Sequence, residues 1–199
     1  TISGETYYFG KSKGQLYTGW ATIGGNKYYL GTDGARRTGW QTIGENKYYF
    51  NSKGVMTKGW ATIDGNKYHF GKISGKLATG WTTISGKKYY FGTDGVKQTG
   101  WITVGSNKYY LGTDGVRRTG WRTIDGNRYY FGKSSGQLYT GWATIGGKKY
   151  YLGTDGVMVT GKQTINGVVY EFGKDGVLKG KVEEQDKEPD KQPENDQTT

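Results

Sequence analysis

The chain contains no cysteine, which excludes a disulfide framework and any thiolate metal site. Its single histidine, His69, cannot form a histidine cluster, so no metal centre and no cofactor is expected. Both prolines, Pro189 and Pro193, fall in the last stretch of sequence. Aliphatic residues are scarce. Ile, Val, Leu and Phe together make up about 17% of 199 residues, a level that leans towards disorder when net charge is high. No apolar run is long enough to cross a membrane, and no signal peptide or lipidation motif is visible; membrane insertion is not expected. Catalytic constellations are missing as well. The carboxylates sit in turn-like loops or in the tail, and no nucleophile–base pair stands out. The chain is therefore not read as an enzyme.

What it has instead is glycine and aromatics: 37 Gly, 18 Tyr, 7 Trp and 6 Phe. All seven tryptophans belong to Gly-Trp pairs, at Trp20, Trp40, Trp60, Trp81, Trp101, Trp121 and Trp142. All six phenylalanines close a Tyr-aromatic run or a variant of one, at Phe9, Phe50, Phe70, Phe91, Phe131 and Phe172. One unit, GWATIGGNKYYL in its Gly19–Leu30 copy, thus recurs about nine times. A period near 20 residues signals a solenoid or array.

Within the unit, β-branched Thr22 and Ile23 and aromatic Tyr28 and Tyr29 suit strands. Between them lies Gly24-Gly25, and the same slot elsewhere holds Asp64-Gly65, Ser85-Gly86, Gly105-Ser106 or Asn166-Gly167. These are dipeptides of two-residue type I′ or II′ hairpin turns. The turn sets the register: Ile23 opposite Asn26, Thr22 opposite Lys27, Ala21 opposite Tyr28, Trp20 opposite Tyr29. Side-chain alternation then places Ala21, Ile23, Tyr28 and Leu30 on a core face and Trp20, Thr22, Lys27 and Tyr29 on the other. The second face, two aromatics and a cation, is where function is expected.

Successive tryptophans are 20, 20, 21, 20, 20 and 21 residues apart, and the linker from Phe9 to Trp20 recurs 61 residues later from Phe70 and again from Phe131. Either each hairpin turns by roughly a third of a circle, or a three-unit block was duplicated. The linkers are rich in Gly, Asp and Thr, which are turn residues. The array decays at its end, where Lys162 replaces Trp and Glu171 replaces Tyr. Residues 183–199 carry a net charge of −5 and no aromatic, a disordered acidic tail or linker by composition. The array, residues 1–182, is then +16. The chain starts inside a hairpin that lacks its Gly-Trp, so it reads as part of a longer protein with further domains.

The pattern GW-x-T-I-x-G-x-K-Y-Y-F, repeated from Thr1 to about Lys181, resembles the Gram-positive cell-wall-binding repeat superfamily. That superfamily includes choline-binding modules, the glucan-binding repeats of streptococcal glucosyltransferases, and the repetitive regions of large clostridial toxins. The resemblance implies an all-β solenoid, a left-handed superhelix of about nine stacked hairpins, three per turn. It also implies a secreted or surface protein that binds a polymer: choline on teichoic acid, α-glucan, a wall polysaccharide or a host glycan. Choline-binding units resemble W-Y-Y-L at the second strand, where the leading Trp helps to cage a quaternary ammonium. Here that position holds Lys27, Lys47, Lys67, Lys88, Lys108, Arg128, Lys149 or Val169. A cation in the wall repels another cation, so a glycan is the leading expectation.

The expected grooves pair the second Tyr of one hairpin with the next Trp: Tyr8 with Trp20, Tyr29 with Trp40, Tyr49 with Trp60, Tyr90 with Trp101, Tyr110 with Trp121, and Tyr130 with Trp142. The His69–Trp81 and Tyr151–Lys162 junctions each lack one ring and should be weak. The bland alternative is that these rings only join neighbouring hairpins. Asp33, Asp94, Asp114 and Asp155 are read as turn residues, since their loops lack the ligand density of a calcium site. The basic, aromatic composition also suits single-stranded nucleic acid. An acidic glycan or anionic wall polymer is the more natural use of the charge, and no nucleic acid is expected. A protein-interaction or spacer role is the alternative from another class.

Overall fold

The computed structural model describes residues 4–10 and 13–182; the acidic tail expected at 183–199 lies outside them. Every named element is a strand, and consecutive strands pair as antiparallel hairpins. In the first part of the chain these are β1 (Gly19–Ile23) with β2 (Asn26–Leu30), β3 (Gly39–Ile43) with β4 (Asn46–Phe50), and β5 (Gly59–Ile63) with β6 (Asn66–Phe70). Next come β7 (Gly80–Ile84) with β8 (Lys87–Phe91) and β9 (Gly100–Val104) with β10 (Asn107–Leu111). The remainder holds β11 (Gly120–Ile124) with β12 (Asn127–Phe131), β13 (Gly141–Ile145) with β14 (Lys148–Leu152), and a three-stranded sheet of β15 (Gly161–Ile165), β16 (Val168–Phe172) and β17 (Leu178–Lys181). The chain divides into two compact units, Thr1–Arg118 and Thr119–Thr199.

Eight hairpins are therefore formed among the described residues, where the sequence suggested about nine. Gly4 to Phe9 contributes bridges instead, Tyr7 to Ala35 and Phe9 to Leu16, and Ser3 of its turn lies outside the described residues. The register is the expected one: Trp20 faces Tyr29, Ala21 faces Tyr28, and Thr22 faces Lys27. The turns also divide as their glycines dictate. Asp64 and Gly65 both have positive φ, 48° and 78°, the type I′ pattern, as do Ser85-Gly86 and Asn166-Gly167. At Gly44-Glu45 and Gly105-Ser106 only the first residue does, which is the II′ pattern.

After each hairpin the linker folds back along the second strand. The Arg37 N–H donates to the Tyr29 carbonyl at 2.8 Å, and Thr57 and Gln98 repeat this bond to Tyr49 and Tyr90. One residue earlier, the linker reaches the preceding hairpin. Met56 N–H donates to Lys27 O, Leu77 to Lys47 O, Lys97 to Lys67 O and Arg117 to Lys88 O, at 2.8–2.9 Å. In the second unit Met158 does the same to Arg128 O. These bonds stack hairpins in sequence order within each unit, the solenoid arrangement expected.

The longer linkers absorb their extra residue at the tip. Gly34 N–H closes a short turn onto Gly31 O, whereas Gly75 N–H closes a turn one residue wider onto Gly71 O. Leu77 still reaches Lys47 O, as Met56 reaches Lys27 O, so the spare residue leaves the stacking unchanged. In the short linkers Asp Oδ1 accepts the amide two residues on, from Ala35, Val96, Val116 and Val157. These aspartates are turn residues, as read from the sequence.

The core is a chain of small clusters. Ile63, Tyr68 and Phe70 are buried with Trp40, Tyr49 and Leu77 against them; Ala143, Tyr150 and Leu152 are buried with Trp121 and Met158 against them. The closing aromatic or leucine, such as Phe50, Phe91 or Leu152, is wholly buried. Aromatics thus supply the burial that the few aliphatics cannot.

Candidate functional site

Each Trp but Trp60, which faces His69, lies across the strand pair from the second Tyr of its own hairpin. Ring centroids are 5.2 Å apart for Trp20–Tyr29 and 5.1 Å for Trp40–Tyr49, Trp81–Tyr90, Trp101–Tyr110, Trp121–Tyr130 and Trp142–Tyr151, all edge to face. Within each unit the same Trp reaches over to the next hairpin and meets its first Tyr. Trp20–Tyr48 is 4.9 Å, Trp40–Tyr68 5.0 Å, Trp60–Tyr89 5.2 Å and Trp121–Tyr150 4.9 Å. The closing Phe completes the contact, as in Trp20–Phe50 at 5.9 Å.

The rings in direct contact are not the pairs expected to line each groove. Tyr29 touches Trp20 and Phe50, not Trp40, and Tyr49 touches Trp40, not Trp60. Tyr130 meets Trp121 and the linker residue Tyr139 rather than Trp142. Tyr8 meets Tyr17 at 5.3 Å rather than Trp20. The reason is geometric. Directly opposed residues of a hairpin are about 5 Å apart by construction, while each Trp is turned forward onto the next core face. The tryptophans join hairpins, and Trp20, Trp60, Trp101 and Trp142 also keep 37–43% of their surface in solvent.

His69 lies beside Trp60 rather than in ring contact with Trp81: its ring is 5.1 Å from Trp60 and 6.4 Å from Phe91. It is buried, its Nε2 has no hydrogen-bond partner, and burial followed by the nearby Lys72 holds its pKa below the usual value. Tyr151 retains Trp142. At the decayed end, Glu171 faces Lys162 across the hairpin and pairs with Lys179 at 2.8 Å, so charges replace the rings.

Three of the second-strand cations lie over a tryptophan. Lys27 Nζ lies 4.7 Å from the Trp20 ring centroid, the Arg128 guanidinium 4.7 Å from Trp121, and Lys149 Nζ 5.1 Å from Trp142. Arg117 approaches Trp81 at 5.8 Å from the linker instead. Sequence reasoning missed two groups here. One is the first Tyr of the next hairpin (Tyr48, Tyr68, Tyr89), taken as core but also the second wall on the Trp. The other is the linker column of Leu16, Arg36, Met56, Leu77 and Lys97, in which each side chain is held over the following linker. Its regular spacing was the available signal.

A family model described as a choline-binding repeat matches residues 37–79, 78–112, 98–140 and 139–181, and one described as a putative cell wall binding repeat matches 18–35. No curated protein matches the chain. Among solved structures, CbpJ from Streptococcus pneumoniae TIGR4 is 31% identical with a TM-score of 0.80, over 86% of this chain and 61% of that one. Choline-binding protein F from Streptococcus pneumoniae, solved with a peptidoglycan analogue, is 32% identical with a TM-score of 0.75, over 83% and 58%. The choline-binding domain of CbpL from Streptococcus pneumoniae is 26% identical with a TM-score of 0.57, over 81% and 86%. The chain thus spans about three-fifths of the length of the first two relatives.

Proposed function

The chain belongs to the family of choline-binding repeats, and from that membership we propose that it is a non-catalytic module anchoring a secreted or surface protein of a Gram-positive bacterium to a glycan. The glycan is a wall polysaccharide, an α-glucan or a host glycan, held at several weak aromatic grooves along the array. The observation that carries this reading is the cation stacked on the tryptophan. At Trp20, Trp121 and Trp142 a Lys or Arg of the same hairpin already occupies a position over the ring. A quaternary ammonium would have to displace that group or sit beside a like charge. A sugar face can instead lie on the exposed part of the indole, with the neighbouring cation donating to its hydroxyls.

The family description and the names of the relatives favour a second reading, choline on teichoic acid. It would draw on Trp40, whose ring carries no cation among the described contacts. Choline–agarose and a glycan array separate the two. Retention on a glycan, with no elution shift by free choline, supports the first reading; elution from choline–agarose by free choline overturns it. Capture of a protein partner with no glycan bound would favour a spacer or protein-interaction role.

A further inference from the structure

One junction brings two lysines together. A cleft of about 230 Å³ is lined by Trp60, Lys67, Tyr89, Lys97 and Asp114. The two lysines meet because the Lys97 amide donates to the Lys67 carbonyl at 2.8 Å. Elsewhere the same backbone bond puts an apolar side chain beside the cation: Met56 beside Lys27, Leu77 beside Lys47, Met158 beside Arg128. At Lys67–Lys97, and next to it at Lys88–Arg117, it doubles the charge.

The doubled charge is poorly offset. Lys97 Nζ donates to the Asp114 main-chain carbonyl at 3.0 Å. The Asp114 carboxylate is engaged elsewhere, accepting from Arg118 at 3.0 Å and from the Val116 amide at 2.9 Å. Burial first, and then Lys67, pull the Lys97 ammonium below its usual pKa, with Asp114 opposing. Beside these cations Trp60 is the most exposed of the tryptophans given above, at 43%, and no cation stacks on it among the described contacts. An aromatic face next to two converging ammonium groups fits a ring that carries a negative charge.

We infer that the Trp60–Lys67–Tyr89–Lys97 cleft is an anion-selective subsite of the array, taking a sugar that bears a carboxylate or a phosphate ester. The sugar ring lies against Trp60 and its anionic group between Lys67 and Lys97, where charge-assisted hydrogen bonds are strong. The inference rests on the glycan reading above and gives it a specificity: this junction selects charge, while those with an apolar residue beside the cation do not.

The test uses the full chain and the indole N–H resonances of Trp60 and Trp40 in NMR titrations, assigned by Trp60→Phe and Trp40→Phe. The probes are glucuronate, a glucose phosphate ester, methyl glucoside and inorganic phosphate. Glucuronate or the phosphate ester should move the Trp60 signal at about tenfold lower concentration than methyl glucoside, and whichever acts more strongly identifies the anionic group. Lys97→Met installs the residue found at 56 and 158, so the fold should be kept. It should remove the preference at Trp60 while leaving the Trp40 response to methyl glucoside intact. Lys67→Gln, on an exposed side chain, should do the same. Equal responses to charged and neutral sugars at Trp60, or a preference that survives both substitutions, would overturn the subsite. A response to inorganic phosphate that Lys97→Met abolishes, with no response to any sugar, would support the anion site and overturn the glycan reading.

Discussion

Met56 lies over Gly75, so close that a β-carbon on the glycine would collide with the thioether sulfur. Gly75 also has a φ of +69°, so two separate constraints require glycine there. Gly80 has a similar φ of +63° with nothing near its missing side chain. Comparing the two separates strain from collision. Gly80→Ala should cost about 1 kcal/mol from backbone strain alone. Gly75→Ala should cost roughly 1–3 kcal/mol more from overpacking, and Met56→Ala in the same chain should recover part of it. Urea unfolding followed by circular dichroism checks this; equal costs at both glycines would mean that the linker stack carries no steric constraint.

The cations over the tryptophans make a prediction about choline. Replacing Lys27, Arg128 and Lys149 with Gln removes the charge beside Trp20, Trp121 and Trp142. An exposed cation–π contact contributes about 0.5–1 kcal/mol, so affinity for a quaternary ammonium should rise roughly two- to fivefold per junction. Retention on choline–agarose, compared with the parent chain, measures it. Unchanged retention would show that these side chains do not select against choline.

The hairpins were legible because a two-residue turn fixes everything within its reach. Gly24-Gly25 sets Ala21 against Tyr28 and Trp20 against Tyr29, and the structure holds both pairs. The contact between hairpins was not legible in the same way. Trp20 meets Tyr48 because the linker after β4 returns along that strand at Thr57 and bonds the residue before it, Met56, to Lys27 of the preceding hairpin, and no local rule states where that return ends. Lys97 reads as a surface charge in isolation. Its place in the column of Leu16, Met56 and Leu77 shows that its stem is held between layers, with a Cβ at Gly115 meeting it, and only the ammonium is left to the cleft.

His69 should make stability depend on pH. Its folded-state pKa is below the 6.5 of the unfolded chain because burial disfavours the imidazolium and Lys72 adds repulsion. Above that pH the ring is neutral in both states, and its contribution is complete. As the pH falls below it, the unfolded chain binds the proton first, and stability declines until the folded-state pKa is passed. His69→Tyr restores the residue found at Tyr29 and Tyr49 and should flatten this slope. Urea midpoints between about pH 7.5 and 5 give the comparison; identical slopes in both proteins would rule His69 out as the source.

The last prediction concerns how the grooves work together. Trp40 meets Tyr49, Tyr68 and Phe70 at once, so Trp40→Ala would open a gap costing roughly 3 kcal/mol and confuse binding with folding. Tyr49→Phe keeps the ring against Trp40 and removes just a hydroxyl. If that hydroxyl helps to hold a sugar, a short oligosaccharide should lose about 1 kcal/mol of affinity at this groove. A long polymer spans several grooves, and its affinity should exceed that of the short ligand by about a hundredfold or more through effective concentration. It should therefore hardly register the loss of one. Calorimetry with the two ligands on the parent chain and on Tyr49→Phe decides the matter. Equal affinity of short and long ligands for the parent chain would defeat the multivalent reading. A full-strength response at the Lys162 end, where Glu171 and Lys162 face each other in place of the rings, would show that aromatic stacking is not what binds.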